Sequence, residues 1–171
     1  MTRNEGRLLI EKLVQDFEQQ EKYYISKDFQ ETETRNRFID PFFEALGWDF
    51  HQTNIAKLEW DVHREYSQKD NSSTKKPDYA FRTKEKNNYK VVFFVEAKAP
   101  WVKLTDHDPV YQAKRYAFSS HSKTPIVILT DFQEFRVFNG FQKPVYENPL
   151  QGLITGLDIN YTKYLANWNQ L

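Results

Sequence analysis

Two acidic side chains and one lysine, Asp78, Glu96 and Lys98, stand where a pair of short strands would bring them together. The segments Asp78 to Arg82 and Tyr89 to Ala97 are apolar and aromatic and flank the turn-like Thr83 to Asn88, so they read as two β-strands. Paired antiparallel, the start of the first lies beside the end of the second, and Asp78 neighbours Glu96 and Lys98. Residues two apart on a strand share a face, so Glu96 and Lys98 point one way and Ala97 the other. Half-burying such a trio costs roughly several kcal/mol in desolvation unless a further partner offsets it. A divalent cation is such a partner. Two carboxylates and a backbone carbonyl, completed by waters and a phosphate oxygen, form the oxygen-rich set that Mg²⁺ prefers. The matching chemistry is phosphodiester hydrolysis. The cation would lower the pKa of a bound water and polarise the phosphate, while Lys98 orients that water or offsets the growing negative charge.

The hydrophobic pattern supplies the elements that must hold this trio. Leu8, Leu9, Leu13 and Phe17 recur at helical spacing, which predicts an amphipathic helix from Glu5 to about Lys22. A second helix is predicted from Thr32 to Leu46, ended by Gly47. Within it Pro41 either introduces a kink or starts a new helix with Asp40 as N-cap. The stretch from Ile55 to Tyr66 is mixed and reads as an ambiguous first strand, followed by a polar loop from Gln68 to Lys76. The unalternating run VVFFV places the Tyr89 to Ala97 strand in a sheet covered on both faces. Asp106 or Asp108 can cap a helix running to about Ser119, with Pro109 in its first turn. Pro125 to Leu129 and Phe135 to Phe138 read as two more strands. The tail from Pro144 to Leu171 has weak periodicity, with a helix-like stretch from Tyr161 to Trp168.

These residues also carry a specific resemblance. KPDYAF (76–81) and VEAKAP (95–100), with 17 residues between Asp78 and Glu96, resemble the PD-(D/E)xK nuclease signature. QAKRY (112–116) resembles the QxxxY motif of the RecB-like branch, with Gln112 and Tyr116 sharing one helix face. ETETRNRFIDPFFEALGWD (31–49) resembles the helix that opens the N-terminal nuclease domain of type I restriction R subunits and of fused type IIG restriction-modification enzymes. By register against Arg35, Glu31 matches that helix's acidic residue, with Glu33 as the weaker substitute. The resemblance runs from about Glu31 to Phe138. It implies an α/β fold, restriction-endonuclease-like and three-layered, with a mixed central sheet flanked by helices in the order αβββαβ. It implies a Mg²⁺-dependent endodeoxyribonuclease of a restriction system acting on double-stranded DNA, with Mn²⁺ able to substitute. Asp78, Glu96, the Ala97 backbone carbonyl and Glu31 would hold the metal, and Lys98 would serve the attacking water. Gln112 and Tyr116 would hold the site or the DNA backbone. The partners implied are a methyltransferase, a helicase motor, or both, with specificity domains, in the same chain or complex.

Bulk properties set the limits. A chain of 171 residues fits one domain, read as 1–171 with a core at about 31–140. Its abrupt end reads as a cut through a longer polypeptide, here the N-terminal part of a restriction enzyme. With no cysteine there is no disulfide framework and no thiolate metal site. No apolar run approaches the roughly 20 residues of a membrane span, and no secretory signal is visible, so a cytoplasmic setting is expected. Lys+Arg and Asp+Glu are both 24, whereas a self-sufficient DNA binder carries a basic excess. If the chain acts on DNA, another domain is expected to deliver it. The same balance, with no motor or methyltransferase among these residues, motivates one alternative, a non-cleaving DNA-binding or assembly module with a nuclease-like fold; a RecB-like repair nuclease, which shares the site chemistry, is a further one. Glu65 reads as a surface charge. His51, His63, His107 and His121 lack ligand spacing for zinc.

Overall fold

The computed structural model describes residues 1–52, 56, 59–65, 76–86, 88–119 and 124–171. Helix α1 (Arg3–Gln19) opens with a capping box in which Thr2 and Glu5 each accept the other's backbone N–H. It buries Ile10, Leu13 and Phe17 along one stripe. A short α2 (Glu21–Tyr24) follows. The second predicted helix is continuous but not uniform: α3 (Glu31–Thr34), a π-helical turn (Arg35–Ile39) and α4 (Asp40–Ala45). Pro41 therefore does not start a new helix. Ile39 and Asp40 have helical dihedrals, so Asp40 lies inside the helix rather than capping it. The wide turn just ahead of Pro41 accommodates the missing N–H. Gly47, at φ +97°, ends the helix, donating its N–H to Glu44 O. Gly6 lets α1 lie against α4: a Cβ there would come within 2.1 Å of Ala45 O.

Six strands form one sheet in the order β1 (Val62–Arg64), β2 (Tyr79–Glu85), β3 (Asn88–Ala97), β4 (Ile126–Thr130), β5 (Glu134–Asn139) and β6 (Leu153–Asn160). Only β3 and β4 are parallel, and α5 (His107–Ser119) is the crossover between them. Asp106 immediately precedes α5 and Pro109 falls in its first turn. Helices α1 and α4 cover one face of the sheet, where Phe17, Phe38, Phe43, Phe81 and Phe132 form an aromatic core. Helix α5 covers the other face with Val110, Ala113 and Ala117 over Ala80, Phe94 and Val127. The result is the restriction-endonuclease-like three-layer arrangement, and its central strand β3 is covered on both sides as the VVFFV run predicts.

Three expectations change. Strand β2 runs on to Glu85, so the hairpin turn is shorter than Thr83 to Asn88. The tail forms a sixth strand that the weak periodicity conceals, half-exposed or exposed except at the buried Ile159 and interrupted at Gly156, at φ +84°. Beyond it, Tyr161–Lys163 is a single 3₁₀ turn followed by turns rather than a helix to Trp168, and its Tyr161 and Tyr164 close the aromatic core. Of the ambiguous stretch from Ile55 to Tyr66, Val62–Arg64 forms a strand. Ile55, Tyr66, the loop residues Gln68 to Lys75, and His121 lie outside the described residues. Glu65 is exposed.

Candidate active site

The corner at which β2 begins and β3 ends collects the ionisable groups. Register pairs Tyr79 with Val95, so Asp78, one residue earlier, faces Glu96. The Asp78 carboxylate is held on both oxygens: Oδ2 accepts the Ala97 N–H at 2.8 Å and Oδ1 accepts Arg35 Nη1 at 3.3 Å. Glu96 is 2% exposed. Its Oε1 accepts Lys98 Nζ at 2.7 Å and Gln112 Nε2 at 2.5 Å. Its Oε2 is buried with no hydrogen-bond partner. Lys98 Nζ also lies 3.6 Å from Glu31 Oε2, which brings the first turn of α3 into the cluster. Tyr116 Oη accepts from Gln112 Nε2 at 3.3 Å, one helical turn along α5.

Each member arrives by a simple local rule. Strand alternation sends Glu96 and Lys98 to one side. The i, i+4 spacing sends Gln112 and Tyr116 to the α5 face lying on β3. Asp78, Glu96, Lys98, Glu31, Gln112 and Tyr116 are thus brought into one neighbourhood, and Ala97 joins through its amide. Arg35 does not pair with Glu31 to steady the helix as i, i+4 spacing suggests; it reaches Asp78 and Tyr79.

The electrostatics of the cluster are strained in one direction. Burial, then the charges of Asp78 and Glu31, push the Glu96 carboxyl up to about 7 against the opposing effect of Lys98. Glu31 is raised by burial, with Lys98 opposing and Asp78 adding to the shift. Burial works to lower Lys98, but Glu96, Glu31 and Asp78 outweigh it and hold the ammonium above its ordinary value. A carboxyl that resists ionisation and keeps one buried oxygen without a partner is a place short of positive charge.

The donor set suits a hard cation. Among the described residues no three His, Asp or Glu side chains form a ready-made cage. Mg²⁺ does not need one, because it is held by one or two carboxylates and keeps several waters. Asp78 and the free oxygen of Glu96 meet that requirement. Further out, a second polar cluster escaped sequence reasoning: Asp40 accepts from Tyr79 Oη at 2.7 Å and from Arg64. Its only local signal is that Tyr79 follows Asp78 within KPDYAF and Asp40 precedes Pro41 within the helix motif.

No family model matches the chain, and no solved structure matches it. Among curated proteins the chain is 32% identical over 136 residues to RM.Eco57I of Escherichia coli, a type II restriction enzyme and methyltransferase. That alignment spans 76% of this chain but 13% of the length of that protein. Among the described residues no helix is long and apolar enough to cross a membrane. Through most of its length, therefore, this chain is related to part of a restriction-modification enzyme.

Proposed function

We propose that the chain is the Mg²⁺-dependent endodeoxyribonuclease domain of a restriction-modification protein, a PD-(D/E)xK nuclease that hydrolyses phosphodiester bonds of double-stranded DNA. The observation that carries this reading is the buried, unpartnered Oε2 of Glu96 standing beside Asp78 and Lys98 at one corner of the sheet. The similarity to a restriction enzyme and methyltransferase supports it.

Asp78 and Glu96 would hold the cation, with Glu31 and the Ala97 carbonyl at its periphery. Bound there, Mg²⁺ or Mn²⁺ would supply Lewis-acid polarisation of a phosphate oxygen and acidify a water. Lys98 is anchored on Glu96 and Glu31, so its ammonium is fixed in direction. It orients the attacking water and offsets charge growing on the phosphate. Gln112 holds Glu96 Oε1 from the α5 side and leaves Oε2 for the cation. Recognition of the target sequence and delivery of DNA fall to methyltransferase, motor or specificity domains, in keeping with equal numbers of basic and acidic residues.

The test is nicking of supercoiled plasmid by the purified chain with Mg²⁺ or Mn²⁺, alongside calorimetric titration of the metal. Metal-dependent nicking is expected, stopped by chelation and lost in Lys98→Ala and Asp78→Ala variants that still fold. Cleavage retained by Lys98→Ala would remove Lys98 from the chemistry. The neutral charge balance favours one second reading, a domain that keeps the fold without cutting alone. Metal binding without nicking would identify a nuclease dependent on its partner domains; no metal binding would identify a non-cleaving module.

A further inference from the structure

We propose that Asp40 and Tyr79 are positioning residues that act through Arg35 to set the orientation in which Asp78 receives a divalent cation. This rests on the nuclease reading above. An unbroken line of bonds leads from the edge strand to the site. Arg64 donates to Asp40 Oδ2 and Tyr79 Oη donates to Asp40 Oδ1 at 2.7 Å. Arg35 Nε donates to Tyr79 Oη at 3.2 Å, and Arg35 Nη1 donates to Asp78 Oδ1 at 3.3 Å.

The order of donors gives the line its direction. Tyrosine has one hydroxyl proton, and Asp40 takes it, so the lone pairs of that oxygen must face Arg35. Guanidinium is planar, so fixing Nε and laying the group over the Tyr79 ring, 5.1 Å from its centroid, also aims Nη1. Arg35 then holds one oxygen of Asp78 while the Ala97 N–H holds the other at 2.8 Å. Both oxygens are thereby held, which restrains the plane of the carboxylate at the corner where Asp78 faces Glu96.

Two features separate this line from ordinary packing. Tyr79 is 0% and Asp40 6% exposed, and the Asp40 carboxyl lies against a core built mainly of Phe, Tyr, Ile and Val. Phe at 79 and an apolar residue at 40 would fill that space without desolvating a charge. The π-helical turn is the second. In an α-helix, residues five apart lie about 140° apart around the axis. Here Asp40 N–H bonds Arg35 O, five residues back, and the widened turn brings both side chains to Tyr79.

The experiment compares wild type, Tyr79→Phe and Asp40→Asn in the full chain by calorimetric Mg²⁺ affinity, nicking kcat and KM, and Tm. Tyr79→Phe is expected to weaken metal binding by about 10- to 100-fold and to lower kcat with KM for DNA unchanged. Asp40→Asn keeps an oxygen for the tyrosine proton and is expected to lose less. A Tyr79→Phe chain with lower Tm but wild-type affinity and kcat overturns the proposal. If that variant does not fold, unchanged metal affinity in Asp40→Asn overturns it. A wild-type chain that neither binds metal nor nicks DNA defeats the nuclease reading itself; a competent wild type matched by both variants defeats only the positioning role.

Discussion

Glu96 and Asp131 are equally hidden, each 2% exposed, and both carboxyls are raised above their ordinary range by burial first of all. Their surroundings differ in kind. Asp131 closes the turn between β4 and β5. Its Oδ1 accepts the Glu134 N–H at 2.7 Å, its own N–H donates to Glu134 O, and Thr130 Oγ1 donates to the same carbonyl. Those partners are all within three residues of Asp131, at the strand ends that flank the turn. Glu96 is held by an ammonium from its own strand and an amide from α5, and one oxygen is left over. Burial alone does not mark a working carboxylate. The distinguishing features are charged neighbours from several elements and an acceptor that the protein leaves unfilled.

The comparison breaks if both acids matter equally to cleavage. Glu96→Gln is expected to lower the initial rate of plasmid nicking at least about a hundredfold, because an amide oxygen is a poor substitute for a carboxylate on a hard cation. Asp131→Asn, whose amide oxygen can still accept the Glu134 N–H, is expected to stay within about twofold of wild type. Equal losses in the two variants would show that burial, not the site, governs activity.

Proton linkage sharpens the contrast. A carboxyl near 7 in the folded protein and near 4.5 when unfolded keeps a proton that the unfolded chain has released. Its contribution to stability is fully present below about pH 4.5 and is lost as pH rises through about 7. A cation that relieves the ionised form therefore stabilises most above that value. Adding Mg²⁺ is expected to raise Tm by several degrees at pH 8 and by much less at pH 5.5. The increment should vanish in Glu96→Gln and persist in Asp131→Asn. An equal rise at both pH values would separate metal binding from Glu96. In the same way, Asp131→Ala, which removes the acceptor of a turn amide, is expected to cost about 1 kcal/mol in urea unfolding and to leave Mg²⁺ affinity unchanged.

What the sequence makes legible follows range along the chain. Asp78, Glu96 and Lys98 meet because a short hairpin and a period of two bring them together, and both are written locally in KPDYAF and VEAKAP. Gln112 and Tyr116 face the site through the equally local i, i+4 rule. The line from Asp40 to Tyr79 spans 39 residues and depends on a π-helical turn that no residue pattern announces, so it was invisible. Strand β6 is concealed in the sequence for a related reason. An edge strand with one neighbour, half-exposed and broken by Gly156, shows neither alternation nor an apolar run, and its pairing with β5 is decided by tertiary contact. Asp40, read as a candidate N-cap, has a side chain occupied by Tyr79 and Arg64 instead.

The gentlest probes lie on α5, where distance from Glu96 should grade the response. Gln112 Nε2 touches Glu96 Oε1 directly at 2.5 Å and holds that carboxylate from the helix side. Lys98 remains when it is removed, so Gln112→Ala is expected to lower kcat by about tenfold, the smaller end of what a group orienting a metal ligand contributes. The hydrogen bond of Tyr116 in this cluster is to Gln112, a longer one of 3.3 Å, and its ring is already held by packing of α5 on the sheet. Tyr116→Phe keeps that packing and gives up one weak acceptor. Its kcat is expected to fall no more than about threefold, a difference of about 0.6 kcal/mol. Steady-state nicking by the two variants decides the order. If Tyr116→Phe proves the more damaging, its hydroxyl acts on the DNA backbone rather than through Gln112, and the gradient centred on Glu96 fails on the α5 side.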